Sequence, residues 1–238
     1  MVERGYLFLS RTPARSYRRN AWSNRYLKRA MREEETHQIK EATPDHPVLD
    51  VIKKRWSPRA FADRRVEPET LRQLLEAARW AASSFNEQPW RFILATTDEP
   101  EHYARVLDCL IEGNQAWAQH APVLMLTVAR KTFTRNGKPN RHAWHDVGLA
   151  MGNLVAQATA LGLHVHMMAG ILPEKARVVF AIPDDYEVVA GVALGYFGNP
   201  DRLSDRQKQS EQKPRSRKPL DDLVFGATWG EAASFLDT

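Results

Sequence analysis

Ala121-Pro122-Val123-Leu124-Met125-Leu126-Thr127-Val128-Ala129 is the longest apolar run in the chain. It is too short to cross a membrane, which takes about 20 residues. It is rich in β-formers, and a run of that length is strand-sized. The Val123–Val128 strand sets the scale for what surrounds it. Upstream, residues 91–97 read as a second strand and 99–110 as a helix. Downstream, residues 144–161 form a long helix carrying Gly148, Ala150, Gly152, Ala156 and Ala158. Such small residues let a neighbouring helix approach closely. Residues 165–169 and 188–194 are further strands, the second thinned by Gly191 and Gly195 as a central strand can be. Earlier in the chain, a short helix starts near His46, with Pro47 in its first turn. Pro68 opens another, with Leu71, Leu74, Leu75, Ala78 and Ala82 forming one apolar stripe. Strands are few and dispersed among helices, which predicts an α+β domain around a single mostly antiparallel or mixed sheet.

The 238 residues suffice for one substantial core. Apolar residues make up 43% and charged residues 26%, as in ordinary globular chains. The single cysteine, Cys109, rules out an intrachain disulfide and paired-thiolate metal sites. It fits a reducing, cytoplasmic compartment. The pI of 9.4 and net charge of +5 suggest a nucleic-acid partner. The charge is uneven, however. Residues 1–30 hold eight basic side chains and one acidic one, net +7, which leaves the other 208 residues near −2. Residues 1–45 are therefore read as a basic and polar N-terminal extension. Its first thirty residues form a disordered arm, a transit peptide, or sequence upstream of a start at Met31. The folded domain is expected over residues 46–238. The polar stretch 199–218 reads as an exposed connection, and Pro219–Phe225 as a short apolar tail element.

Four clusters carry possible chemistry. Arg55-Trp56-Ser57-Pro58-Arg59-Ala60-Phe61 offers two guanidiniums and a hydroxyl after a helix end, a set suited to an anion or equally to a solvated basic turn. Ser83-Ser84-Phe85-Asn86-Glu87-Gln88-Pro89-Trp90 is a loop whose amides could read a heterocycle edge or only satisfy local backbone. Gly113-Asn114-Gln115-Ala116-Trp117 reads as a helix start or turn, or as a ligand-reading amide. Lys213-Pro214-Arg215-Ser216-Arg217-Lys218-Pro219 would turn Arg215 and Arg217 the same way if extended, or be a solvated face. His142, His145 and Asp146, and likewise His164 and His166, match no metal-site spacing. No G-x-S-x-G elbow, P-loop or G-x-G-x-x-G is present.

Taken together and in order, these clusters resemble the FMN-dependent nitroreductase family over roughly residues 46–230. The order is Arg-x-Ser-x-Arg-x-Phe, Ser-Ser-x-Asn-x-Gln-Pro-Trp, Gly-Asn-Gln-x-Trp, Ala-Pro before a strand, Asp-x-Gly on the long helix, and a late Arg-x-Arg-x-Pro-Leu. The resemblance implies an intertwined α+β homodimer with FMN in the subunit interface. It implies that Arg55, Trp56 (through its backbone), Ser57 and Arg59 hold the phosphate and ribityl end, with Arg215 and Arg217 as a second phosphate clamp. Ser83, Ser84 and Asn86 would reach in from the partner subunit. Asn114 would read the pyrimidine edge, and Met168, Ala169 and Gly170 would pass the N5 region. Ala169 stands where some members carry Glu, so no carboxylate acts there, and Ala82 stands where many have Pro. The implied activity is ping-pong transfer of hydride from NAD(P)H through flavin N5 to a nitroaromatic, quinone or similar acceptor, with no catalytic residue assigned and no metal. Neither a nucleic-acid nor a membrane partner is expected. The alternatives are another redox reaction at the same flavin site (dehalogenation, flavin fragmentation or dehydrogenation) and a flavin-binding module without turnover. Lys131–Arg141 is the candidate lid, short and polar, which favours a general reductase.

Overall fold

The computed structural model describes residues 34–236. Its centre is a four-stranded antiparallel sheet in the order β1-β2-β4-β3, formed by β1 (Trp90–Thr96), β2 (Val123–Arg130), β3 (His164–Met168) and β4 (Tyr186–Gly195). The helices are α1 (residues 34–40), α2 (Asp50–Lys54), α3 (Pro68–Arg79), α4 (Pro100–Leu107), α5 (Glu112–Ala118), α6 (Ala143–Ala160), α7 (Pro173–Val179) and α8 (Asp205–Glu211).

The uninterrupted apolar character of β2 follows from its place. Leu124, Leu126 and Val128 enter one core with Val106, Leu110 and Trp117. Val123, Met125 and Ala129 enter another with Leu74, Val147, Met151 and Leu154. Alternate side chains point to opposite faces, so a strand covered on both sides has no polar face to show. Thr127 is tolerated because its Oγ1 donates to the Ala190 carbonyl at 3.3 Å, beside a register shift between Thr127 and Val128. Of the small residues of α6, Ala150 and Ala158 are buried in the core shared with α3, where Asn153 Nδ2 donates to the Ala77 carbonyl at 3.2 Å, whereas Gly148, Gly152 and Ala156 stay exposed.

The strands lie within two residues of their predicted ends, and the sheet is antiparallel throughout. Several expectations need correcting. The helix expected from His46 begins at Asp50, because Pro47 and its neighbours stay outside it and Leu49 caps it in an extended conformation. The helix expected to reach Leu110 ends at Leu107, since the chain turns there to bridge Leu110 with Ile171. The supposed connection 199–218 contains α8, started by a reciprocal capping box between Ser204 and Gln207. Ordered structure also begins before residue 46: α1 buries Thr36 and Lys40, and Ala42 N–H donates to the Lys53 carbonyl at 3.0 Å. Residues 1–30 lie outside the described residues.

The ends of the sheet are closed by tight packing. Phe61 bridges Phe197, and a Cβ on Gly198 would sit 2.3 Å from the Phe61 backbone, so only glycine lets these segments touch. Among the described residues no helix is long and apolar enough to cross a membrane.

Candidate functional site

The chain leaves α2 at Arg55 and runs through Trp56, Ser57, Pro58 and Arg59 in extended and irregular form. The sequence forces the exit, since the residue before a proline disfavours helix and Ser57 precedes Pro58. The loop is then fixed from three directions. From β3, His166 Nδ1 donates to the Pro58 carbonyl at 2.9 Å. From the end of α8, the Glu211 carboxylate accepts the Arg59 N–H at 3.3 and 3.4 Å. From the C-terminal segment, Arg215 donates to the carbonyls of Lys53 and Arg55. Within the loop, Arg55 Nη1 donates to Ser57 Oγ at 3.2 Å. Arg59 lies over the Trp117 ring at 5.8 Å.

This arrangement gathers positive charge. Burial lowers the Arg55 pKa, and Arg217 lowers it further. Arg215 is lowered by burial, then by Arg55 and Arg217. Lys40 is lowered by burial, with Arg215 and Arg59 adding to the effect and Glu211 opposing it. The carboxyl facing this group, Glu211, is itself pushed up to about 7, chiefly by burial. Arg55, Arg215 and Arg217 thus repel one another, with Glu41 acting on Arg215, while Lys40 and Arg59 lie beside the desolvated Glu211 carboxyl. Arg215 Nε is also buried without a hydrogen-bond partner. An orphaned buried donor amid mutually repelling guanidiniums is the signature of a place for a bound anion. The donor set suits a phosphate dianion in particular, because guanidinium forks and a hydroxyl match its oxygens.

A second cluster lies where the end of β3 meets α5. Asn114, in the first turn of α5, donates from Nδ2 to the Gly170 carbonyl at 2.9 Å, and that carbonyl also accepts the Ile111 N–H at 3.2 Å. A Cβ on Gly170 would sit 2.5 Å from Asn114 Nδ2 and from Ile111 Cδ1. The glycine therefore permits a close approach that keeps the amide in place. Met168 is buried and Ala169 is exposed. One amide bond leaves the Asn114 side chain with further capacity to donate and accept.

The loop 83–88 sits elsewhere. Ser84 N–H donates to the Asp146 carboxylate at 3.0 Å, Ser83 Oγ accepts the Gln88 N–H at 3.0 Å, and Asn86 Oδ1 accepts from Gln88 Nε2 at 3.2 Å. Glu87 accepts from the Thr134 N–H and hydroxyl at 2.7 and 2.6 Å. Phe85, Asn86 and Gln88 all hold positive φ, at 54°, 55° and 51°. Such conformations cost side-chain-bearing residues of order 1 kcal/mol each and persist only where surroundings enforce them. The loop leads into Trp90, which is level with Ala129 and Glu187, whereas His164 beside the arginine loop is level with Gly195. The two ends of β4 are about 25 Å apart at strand rise. Within one chain, then, Arg55, Ser57, Arg59, Arg215 and Arg217 come together, Asn114 and Gly170 come together, and Ser83, Ser84 and Asn86 stand at the far end of the sheet.

The sequence reading missed Lys40, Glu211, His164 and His166 as neighbours of the arginine loop. The two histidines are held neutral, each pushed down to about 4 mainly by burial. His164 stacks on His37 at 5.2 Å beside Trp56 and Phe197. The capping box of α8 was the one local signal that could have exposed Glu211. Among the described residues no group of His, Cys, Asp or Glu is arranged to hold a metal.

Comparison with known proteins gives a consistent picture. The nitroreductase family model matches residues 52–113 and 100–196. A crystal structure of an oxidoreductase containing FMN is 37% identical and superposes with a TM-score of 0.74, covering 79% of this chain and 95% of that one. A nitroreductase family protein from Clostridium difficile is 28% identical, with a TM-score of 0.59, covering 77% and 99% of the two chains. The major NAD(P)H-flavin oxidoreductase of Aliivibrio fischeri is 26% identical, covering 75% of this chain and 98% of that protein.

Proposed function

The chain belongs to the nitroreductase family, and from that premise we propose that it is an FMN-dependent NAD(P)H oxidoreductase working as a homodimer. The observation that carries the reading is the gathering of Arg55, Arg215 and Arg217, mutually repelling, with Arg59 and Lys40 nearby and a buried orphan Arg215 Nε. Arg55, Arg59, Arg215 and Arg217, with Ser57, would hold the FMN phosphate. Asn114, braced on Gly170, would orient the ring by its pyrimidine edge, and the backbone at Met168, Ala169 and Gly170 would pass the N5 region. Bound FMN would supply the redox chemistry, taking hydride from NAD(P)H at N5 and delivering it to a nitroaromatic, quinone or similar acceptor in two half-reactions sharing one pocket.

The dimer is supported by two features. Ser83, Ser84 and Asn86 lie too far along the sheet to join the arginines of their own chain, so they are proposed to serve the partner's site. The outward face of α6, with Trp144, Gly148, Leu149 and Gly152, is exposed, and Leu49 and Ile52 around α2 are likewise uncovered. A second copy would bury this apolar surface. The loop 131–141 supports a general reductase over a dedicated one: it closes on itself through a Thr132–Pro139 bridge and is tied down by Glu87, which leaves little to cover a specific substrate. The lone cysteine is buried and fits a cytoplasmic, reducing setting. We place the family domain over residues 46–238, with α1 packed against it.

Purified protein is expected to be yellow, to be bleached anaerobically by NADH or NADPH, and to be reoxidised by a quinone or nitroaromatic. A colourless protein that gains no flavin band on incubation with FMN would refute the reading. A yellow protein that neither nicotinamide bleaches would support one of the other redox reactions.

A further inference from the structure

The α1 helix lies outside the segments matched by the family model, yet it is tied into the anion site more tightly than the surrounding surface. Lys40, at its end, is 8% exposed, and its Nζ donates to the carbonyls of Ser210 and Lys213, each at 2.7 Å. These carbonyls belong to the last turn of α8 and the residues after it, which lead directly to Arg215. Lys40 also faces Glu211, the carboxyl that accepts the Arg59 N–H, and stands 5.4 Å from the Trp56 ring. Immediately after α1, Ala42 N–H donates to the Lys53 carbonyl, which is one of the two carbonyls bound by Arg215. His37, one turn earlier, packs against Trp56, His164 and Phe197 at 5.2 to 6.3 Å.

We propose that α1 is a built-in brace of the phosphate clamp, with Lys40 as its positioning residue. Lys40 fixes the exit of α8 and thereby sets where Arg215 and Arg217 stand relative to Arg55 and Arg59. The inference rests on the FMN reading above. Two physical points favour it over a generic surface contact. A buried ammonium satisfied by two carbonyls orders both of them, because leaving either unpaired is costly, and the Glu211 carboxyl close by adds to its hold. The partners also lie on both halves of the clamp: Glu211 holds the Arg59 segment, and the Ser210 and Lys213 carbonyls hold the Arg215 segment. Lys40 makes no use of the redox end of the site, so its effect is confined to the phosphate end.

The test separates the phosphate end from the ring end. FMN and riboflavin differ by the phosphate alone, so the ratio of their affinities for the apoprotein, read by quenching of flavin fluorescence, reports the clamp. Lys40→Met should lower that ratio by at least about tenfold, as loss of a charge-assisted clamp requires. Lys40→Arg should restore most of it. Lys40→Gln, which keeps an N–H donor for one carbonyl, should fall between them and carries the test if the methionine variant does not fold. A ratio unchanged in a folded Met or Gln variant, or FMN and riboflavin affinities falling in parallel, would overturn the proposal. Wild-type protein that binds neither flavin would instead overturn the FMN reading itself, and the brace with it.

Discussion

Asn114 Nδ2 and the Gly170 carbonyl are joined at 2.9 Å across 56 residues of chain, with no room for a Cβ between the two segments. The contact makes α5 and the end of β3 one rigid unit, so the amide is held before any ligand arrives. A Gly170→Ala change would push a methyl against Asn114 and Ile111. We expect apoprotein stability to fall by about 1–3 kcal/mol, as overpacking does. The flavin absorption band should shift or weaken as well. Asn114→Ala should alter the band with a smaller loss of stability. Thermal melts and spectra of the two variants, side by side, check this.

Arg215 and Arg217 should separate in a comparable way. Arg215 is spent on the Lys53 and Arg55 carbonyls, whereas exposed Arg217 donates to the carbonyl of its neighbour Ser216 at 2.7 Å. Arg217→Ala should weaken FMN binding about tenfold or more while leaving the apoprotein melting point unchanged. Arg215→Ala should weaken binding and lower the melting point together. Arg215→Lys should rescue poorly, because an ammonium cannot reach two carbonyls with a planar fork. Flavin titration and calorimetry of the apo forms distinguish these outcomes.

Acidity acts through three buried groups of opposite sign. His164 and His166 stay neutral down to about 4, whereas the unfolded chain protonates its histidines near 6.5. Their stability contribution is full above pH 6.5 and is lost as pH falls toward 4. Glu211 keeps its proton up to about 7, whereas an unfolded glutamate loses it near 4.5. Its contribution is full below pH 4.5 and is lost as pH rises toward 7. Between pH 4.5 and 6.5 the two histidines outweigh the one carboxyl. Apoprotein stability should therefore rise with pH by about 1.4 kcal/mol per unit from these groups. Glu211→Gln removes the opposing group and should steepen the slope. Urea midpoints measured across that range provide the check, and an unchanged slope would mean that Glu211 is ionised in the folded protein.

Gly148 lies on the outward face of α6, and a Cβ there would meet nothing within 4 Å. Gly148→Arg should stabilise the isolated helix by up to about 1 kcal/mol, since glycine is a poor helix former. If a second copy docks on this face, the same change blocks it. We expect a folded monomer by light scattering that no longer retains flavin, because in the proposed dimer each site draws residues from both chains. A flavin-loaded dimer would argue against this face as the interface.

The strands were legible because their signals are local: β2 is apolar throughout because both of its faces are covered. Two of the short helices, α5 and α7, were harder to read. In α5, Gly113 and Asn114 imitate a turn; α7 is seven residues long and capped by apolar Leu172, and neither has a stripe long enough to count. At the site, the two arginine pairs and Asn114 could be singled out by residue type. Their neighbours could not, because Lys40 meets Ser210 and Lys213 across 170 and 173 residues of sequence. A lysine near an acidic stretch and a glutamate at the end of a polar helix look like solvated surface until the fold buries them. The strain at Phe85, Asn86 and Gln88 is equally invisible to composition, which marks only a loop.

The contact between Arg215 and Arg55 spans 160 residues, so everything between must be in place before the clamp exists. Contacts of such separation carry a large loop-closure entropy, which the sheet and its helices must offset. An anion captured there draws the equilibrium toward the closed chain, by about 2.7 kcal/mol when the ligand stands at a hundred times its dissociation constant. If FMN is that anion, as proposed, flavin supply would govern how long the protein lasts in the cell as well as what it can do. A flavin-starved chain would leave its two distant segments unlatched and open to proteases, and the size of the cellular pool of this protein would track the vitamin.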